Sequence, residues 1–442
     1  MSSESRFAYF FDRCVYVTKR LARAQFDRLV FRYRYNRFSI VEHLVTIAGL
    51  ATSTFSWLSA NSYFTVAGAL VAALGMIASY YNSHISRLVP LRTNFPKEFV
   101  EKNTTKILRN RNEYLYFDKA LNVRLNGLKN TVEVMPGRYT LPLELHNLVG
   151  IILKNKKIKW LTTNELKIGL RTEITPKLLE GTDLKVQLQT TTYYEGVISN
   201  DTSTFTLGRN GFSGSLRDRA NDYINFSRYA FENGQLVSLE ISKSSNHIGG
   251  STIAITRDGF ILYQTQGKDN DIGASQLFPS ASGSFDWVPE LSKGDVTFRD
   301  LVLANLEREL HEEIYVPSDE NYTCISFLTG YGRVLQRGGK PEFYGLTLID
   351  QLSTAVTVRP AEHGYVYNIQ VWPLRDLRLS SVKEGLNLFY VDMLVSDNTG
   401  IAMIATLRCA IDFLTGLEDE NWAVDQIERV RNSRQQAIRV QK

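Results

Sequence analysis

Between Glu42 and Arg87 the chain carries no Asp, Glu, Lys or Arg, a run of 44 residues. As a single helix this run would be roughly 66 Å long at about 1.5 Å per residue. That is about twice a bilayer core of about 30 Å, so the run reads as two spans folded back on each other. The spans fall at about Val41–Leu58 and Tyr63–Tyr81, with Ser59–Ser62 as the polar turn. Residues 39–90 are thus expected to form a two-helix transmembrane hairpin; the run starts too far into the chain to be a signal peptide.

Charge sets the expected orientation. Residues 1–38 hold nine Lys/Arg against Glu4, Asp12 and Asp27, and Arg87, Arg92 and Lys97 follow the second span. Basic flanks on both sides predict a two-pass inner-membrane protein with both termini in the cytoplasm. The mixture of aromatic and basic residues in the N-terminal segment 1–38 suits an amphipathic arm lying on anionic lipid headgroups. Gly68/Ala72 and Gly75/Ser79 are small residues one helical turn apart, a spacing that lets membrane helices pack closely. Contact with inner-membrane lipids and assembly into a homo-oligomer are the corresponding expectations.

With 442 residues the chain has room for about three units. A net charge of +5 is too mild to make a nucleic acid polymer its partner. Cys14, Cys324 and Cys409 are scattered without metal-ligand spacing, which excludes a disulfide scaffold or zinc module. Residues 91–240 alternate in short apolar runs (EYLYF, NVRLN, TVEVM, KWLTT, ELKIGLRTEI and LKVQLQTTTYY) punctuated by Asn126-Gly127, Pro136-Gly137 and Gly181. That pattern predicts an antiparallel sheet or small barrel, either a spacer or a ligand sensor presenting Tyr193, Tyr194 and Glu195.

The segment of most specific chemistry is 294–316, GDVTFRDLVLANLERELHEEIYV. Glu309, Glu312 and Glu313 stand three and four residues apart, so a helix projects them from one side. Such a cluster repels itself unless it is neutralised, and hard oxygen donors suit Mg²⁺ or Mn²⁺. The ion can bridge a pyrophosphate and activate water. Arg308 is placed to pair with a carboxylate and hold the helix, while Leu301, Leu303, Leu306 and Leu310 give it an apolar face. Flanking patterns predict a hairpin, Ser251–Thr256 and Gly259–Gln264 about Arg257-Asp258, strands at Phe343–Ile349 and Tyr365–Val371, and a late apolar helix, Gly400–Leu417.

This segment resembles the Nudix box, in which a Gly, five residues, a Glu and seven residues precede Arg-Glu-apolar-x-Glu-Glu-x-Gly. Gly294 takes the first position here, and Gly283 is a second candidate for it; Asp300 stands in place of the Glu and Tyr315 in place of the last Gly. A tyrosine in a left-handed helix cap is expected to carry a steric cost that Gly avoids. With the apolar run, the β-rich stretch and the loop around Ser282-Gly283-Ser284, the chain over about 40–435 resembles the SMODS-associated Nudix family, membrane effectors of the CBASS anti-phage systems. Asn246-His247-Ile248-Gly249 and Arg337-Gly338-Gly339-Lys340-Pro341-Glu342 are its other marks.

The resemblance implies a multidomain α+β membrane protein whose residues 241–442 form an α/β/α Nudix fold. Glu309, Glu312, Glu313 and Asp300 would be catalytic, the three glutamates would hold the metal, and Gly294 and Arg308 would be structural. Ser282, Gly283, Ser284, Arg337 and Lys340 are candidates for substrate phosphate. It further implies an effector triggered by a cyclic oligonucleotide from a CD-NTase-type synthase, which then disrupts the inner membrane or acts on nucleotides to abort infection. A membrane-tethered pyrophosphohydrolase of nucleoside diphosphate derivatives and a non-catalytic nucleotide-binding module are the alternatives.

Overall fold

The computed structural model describes residues 18–28, 30–31, 34, 88–93, 97–146, 149, 152–153, 163–181, 184–202, 205–209, 224–225, 229–267, 274–288, 291, 296–319, 322–359, 362 and 365–440. Among the described residues no helix is long and apolar enough to cross a membrane. The expected transmembrane fold and its two-pass inner-membrane placement are therefore corrected to a β-rich mixed α/β body. Both expected spans, with Gly68, Ala72, Gly75 and Ser79, lie outside the described residues. Leu88–Thr93, where the hairpin was expected to end, is a strand antiparallel to Phe205–Arg209.

The strands that place the site are, in chain order, β1 (Ile107–Asn110), β2 (Glu113–Phe117), β3 (Val132–Arg138), β4 (Leu166–Leu170), β5 (Val186–Thr192), β6 (Gly249–Thr256), β7 (Phe260–Gln266), β8 (Leu277–Phe278), β9 (Ala281–Ser284), β10 (Cys324–Val334), β11 (Lys340–Ile349) and β12 (Val366–Pro373). The helices that pack on these strands are α1 (Tyr193–Ser199), α2 (Phe298–Glu313), α3 (Leu379–Val395), α4 (Ile401–Thr415) and α5 (Trp422–Val440), beside shorter helical turns. A nine-stranded sheet runs β8-β7-β6-β11-β10-β2-β1, with β9 added to β6 and β12 to β7. Only β6 and β11 pair in parallel within it, from Gly249↔Glu342 to Thr256↔Ile349. Every residue of β6 is buried, as a strand covered on both faces requires.

Successive residues of β6 point to opposite faces. Ile253 and Ile255 join Leu346 and Leu348 under α3, α4 and α5, through Leu386, Phe389, Met403, Leu407 and Trp422. On the opposite face α2 brings Phe298, Leu301, Val302 and Leu306 onto Phe285 and Phe343. The same cluster takes in Ile168, Leu170, Val186 and Leu188 of a second, three-stranded sheet ordered β3-β5-β4. α2 therefore lies between two sheets.

That sharing of one core revises the expected organisation. The strand EYLYF, assigned by sequence to the middle unit, is β2 and pairs with β10 through Leu115↔Val334, so the large sheet crosses the boundary drawn at residue 240. The middle sheet is mixed rather than antiparallel, β3 and β5 being parallel and β4 and β5 antiparallel. NVRLN holds no strand, because the Asp118 carboxylate accepts from the backbone N–H of Ala120 and Leu121 and starts a helical turn at Lys119–Asn122. Tyr194 and Glu195, read as exposed, are fully buried. Glu195 closes a reciprocal cap with Thr192 at the start of α1 and faces Arg138 and Arg34, each at 3.6 Å.

Candidate active site

Thr297 starts α2, its hydroxyl accepting from the backbone N–H of Asp300 at 3.2 Å. Twelve and sixteen residues on, Glu309 and Glu313 emerge one turn apart on the side that faces the sheet, and both are buried. Glu313 Oε2 accepts from Gln264 Nε2 of β7 at 2.8 Å and from the backbone N–H of Ser282 in β9 at 3.2 Å. Glu309 lies against Gly283, where any β-carbon would overlap its carboxylate. Glycine at 283 is thus what lets the acid reach the strand.

One guanidinium ties the cluster together. Arg308 meets Glu309 Oε1 at 2.6 Å, Glu312 Oε1 at 2.7 Å and Asp286 Oδ2 at 2.9 Å. Lys167 of β4 also pairs with Asp286, reaches Glu165 at 3.5 Å and donates to the carbonyl of Ser284 at 3.3 Å. Burial raises Glu309 to about 7 even though Arg308 and Lys167 pull it down. Burial, reinforced by Glu309, raises Glu313 well above the carboxylate range. Arg308 is itself shifted upward, because its three carboxylate partners outweigh its burial.

The other expected site residues lie elsewhere. Asp300 is nine residues before Glu309, two and a half turns away, and so on the opposite side of α2. Its carboxylate pairs with Arg299 at 3.0 Å and hydrogen bonding to Thr297 lowers its pKa. Gly294 lies outside the described residues. Ser282 meets Glu313 through its backbone N–H and the Ser284 carbonyl accepts from Lys167 and Arg308, whereas Arg337 and Lys340 lie away from the acids. Arg337 pairs with Asp201 at 2.8 Å and reaches Glu342 at 3.6 Å, and Lys340 pairs with Glu342. Glu342 is level with Gly249, on the side of the sheet away from that to which Gly250 points, where Phe285 and Leu306 lie. Lys340 is buried there and Arg337 half-buried, and burial lowers Lys340 to about 8.

Sequence reading missed Lys167, Gln264, Gln266 and Glu362 and gave Asp286 no role. The two glutamines had a signal: polar residues at alternate positions of an apolar strand, on a face that must be buried. Gln264 donates to Glu313 and Gln266 Nε2 donates to Ser282 Oγ at 3.4 Å, yet the Oε1 atoms of both find no hydrogen-bond partner among the described residues. Glu362 is raised by burial and interacts with Glu312, Glu165 and Glu313. Nothing local in the sequence marks it.

Among the described residues no three His, Cys, Asp or Glu side chains converge closely enough to hold a metal ion. The donor chemistry nevertheless fits a hard cation. Two buried carboxylates hold their protons to unusually high pH, and two buried amide oxygens beside them lack a donor. Mg²⁺ or Mn²⁺ would be held by Glu309 and Glu313, with Glu312 available on release from Arg308.

No family model matches the chain, and no curated protein matches it. Among solved structures, the crystal structure of DR0079 from Deinococcus radiodurans is similar over 41% of this chain and 96% of its own, at 11% sequence identity and a TM-score of 0.24. A likeness of that size carries no argument about fold or function.

Proposed function

We propose that the α2 site binds Mg²⁺ or Mn²⁺ and hydrolyses the phosphoanhydride of a nucleoside diphosphate derivative. The observation that carries this reading is the pair Glu309 and Glu313, buried together one turn apart, with a single guanidinium on Glu309 and the neutral donors Gln264 and Ser282 on Glu313. The cation, when bound, would neutralise phosphate charge and acidify water. The chain would do the rest. Arg308 and the Gly283 contact fix the acids, and Glu362, beside Glu312, takes the proton released as water oxygen bonds to phosphorus. The bridging P–O bond breaks, leaving two phosphate monoesters. The test is turnover of ADP-ribose, NADH and dinucleoside polyphosphates with Mg²⁺ or Mn²⁺. Loss of about 10³-fold in Glu309→Gln and Glu313→Gln is expected, since removal of a catalytic metal costs several kcal/mol. Undiminished turnover in the double variant overturns the reading.

The biological setting of this chemistry follows the resemblance: a CBASS effector that acts on a nucleotide pool when a cyclic oligonucleotide is made. One observation favours it. The segments that carry the resemblance meet, for Gly249 pairs with both Ser284 and Glu342, and Gly283 abuts Glu309. Co-expression with a CD-NTase-type synthase should deplete the susceptible nucleotide, and Glu313→Gln should prevent it. Depletion that persists in that variant counts against this role.

A further inference from the structure

Of the basic N-terminal stretch expected on lipid, the described residues 18–28 are docked on the body. Residues 18–28 are helical, and Ala24 is fully buried. Arg20, Ala24 and Asp27 follow the i, i+4, i+7 spacing of one helix face. At one end the Arg20 guanidinium stacks 4.8 Å from the centroid of the Tyr365 ring. At the other, Asp27 Oδ2 accepts from the backbone N–H of Asn164 at 2.9 Å.

These two anchors flank the acidic site. Asn164 precedes Glu165, which leads through Lys167 and Asp286 to Arg308. Tyr365 donates its backbone N–H to the carbonyl of Glu362 at 2.8 Å, and the Glu362 carboxylate repels those of Glu312 and Glu313. The helix therefore bridges the two walls between which the carboxylates lie. We propose that this helix is a wall of the active site and that Arg20 and Arg23 bind the phosphates of its substrate.

Charge supports the assignment. Around the site stand six carboxylates, Glu165, Asp286, Glu309, Glu312, Glu313 and Glu362, and the body opposes them with Lys167, Arg308 and Arg359. A nucleoside diphosphate brings further negative charge that one divalent ion does not balance. Arg337 and Lys340 are committed to Asp201 and Glu342 on the other side of the sheet. Arg20 is felt at both Glu165 and Glu362, and Arg23, one turn further, is felt at Glu165 and exposed. Arginine suits the task, because its planar fork matches phosphate oxygens.

The proposal rests on the phosphoanhydride reading, so its test measures binding apart from turnover. In the full chain with Ca²⁺, the affinity for α,β-methylene-ADP should fall about 10- to 100-fold in Arg20→Ala/Arg23→Ala, with Mg²⁺ affinity in the absence of nucleotide unchanged. KM should rise by the same factor with kcat kept, and Arg20→Lys should recover part of the loss. Asp27→Ala, which removes an anchor and no cation, should also raise KM. Wild-type affinity in a folded Arg20→Ala/Arg23→Ala variant, or no binding of the probe by the wild-type chain, overturns the proposal. Glu309→Gln and Glu313→Gln report separately on the hydrolytic reading, because they remove turnover while leaving the arginine contribution to probe affinity in place.

Discussion

The backbone of Gly283 and the carboxylate of Glu309 lie in direct apposition, with no room for a single methyl group between them. A strand of the large sheet and a helix packed on it are held at that separation by Phe285, Leu306 and Phe343. The acid is thereby pressed against β9 and shut away from water, and its raised pKa follows from the same contact.

Gly283→Ala should displace the Glu309 carboxylate without removing any ligand atom. We expect Mg²⁺ affinity to fall about 10- to 100-fold, the range seen when groups supporting a metal ligand are lost. Stability should drop by about 1–3 kcal/mol, the usual cost of overpacking. Calorimetric metal titration beside denaturant unfolding checks both. Wild-type affinity in this variant would show that Glu309 is not a ligand.

Metal binding and stability should depend on pH with opposite signs. Burial raises Glu309 and Glu313, so each holds a proton in the folded chain at pH values where the unfolded chain has lost it. The stability tied to this is fully present below the unfolded value of about 4.3 and is lost as pH rises through about 7 for Glu309, and higher for Glu313. A cation that replaces those protons should stabilise little near pH 5.5 and strongly near pH 8, releasing protons as it binds. Thermal shifts with and without Mg²⁺ across that range are the measurement. A shift independent of pH, or one retained by Glu309→Gln/Glu313→Gln, places the ion elsewhere.

The spacing of Arg308, Glu309, Glu312 and Glu313 made the acidic cluster legible in the sequence, since helical geometry alone puts these groups together. The cost expected at Tyr315 does not arise, because positive φ among the described non-glycine residues occurs only at Arg111, Asn233, Asn246 and Ser275. α2 instead leaves through extended Ile314 into a short strand in which Tyr315 pairs with Thr357. That partner is 42 residues away and no local pattern announces it. The same reason hid the pairing of β2 with β10, the approach of Lys167 to Asp286, and Glu362. Polarity misled at Glu195, which reads as surface until its cap and its two arginines are seen.

Arg308→Lys should separate charge from geometry. A lysine supplies one point charge where the guanidinium reaches Glu309, Glu312 and Asp286 at once. We expect kcat to fall by at least about tenfold and stability by about 1–3 kcal/mol, as buried carboxylates lose hydrogen bonds to a charged donor. Kinetics with a nucleoside diphosphate derivative and unfolding by urea measure the two effects. Unaltered values for both would mean that the three ion pairs are incidental to the site.

Behind the sheet, Gly196 and His247 pose a problem of packing and protonation together. His247 is fully buried, neither ring nitrogen finds a hydrogen-bond partner among the described residues, and a β-carbon at Gly196 would overlap the ring. Burial, with Lys340, Arg337 and Lys167 nearby, lowers its pKa well below 6.5. A histidine kept neutral by folding contributes stability that is present above the unfolded value of about 6.5 and lost as pH falls below it. His247→Leu should therefore flatten the fall in stability from about pH 6.5 to pH 5, and relief of two unsatisfied nitrogens should offset its packing cost. Gly196→Ala should cost about 2–3 kcal/mol in the wild-type chain and much less beside His247→Ala, because the alanine methyl enters the space the ring leaves. A double-mutant cycle by urea unfolding reads the coupling directly. Additive costs would show that α1 yields to the methyl and that the ring does not set its position.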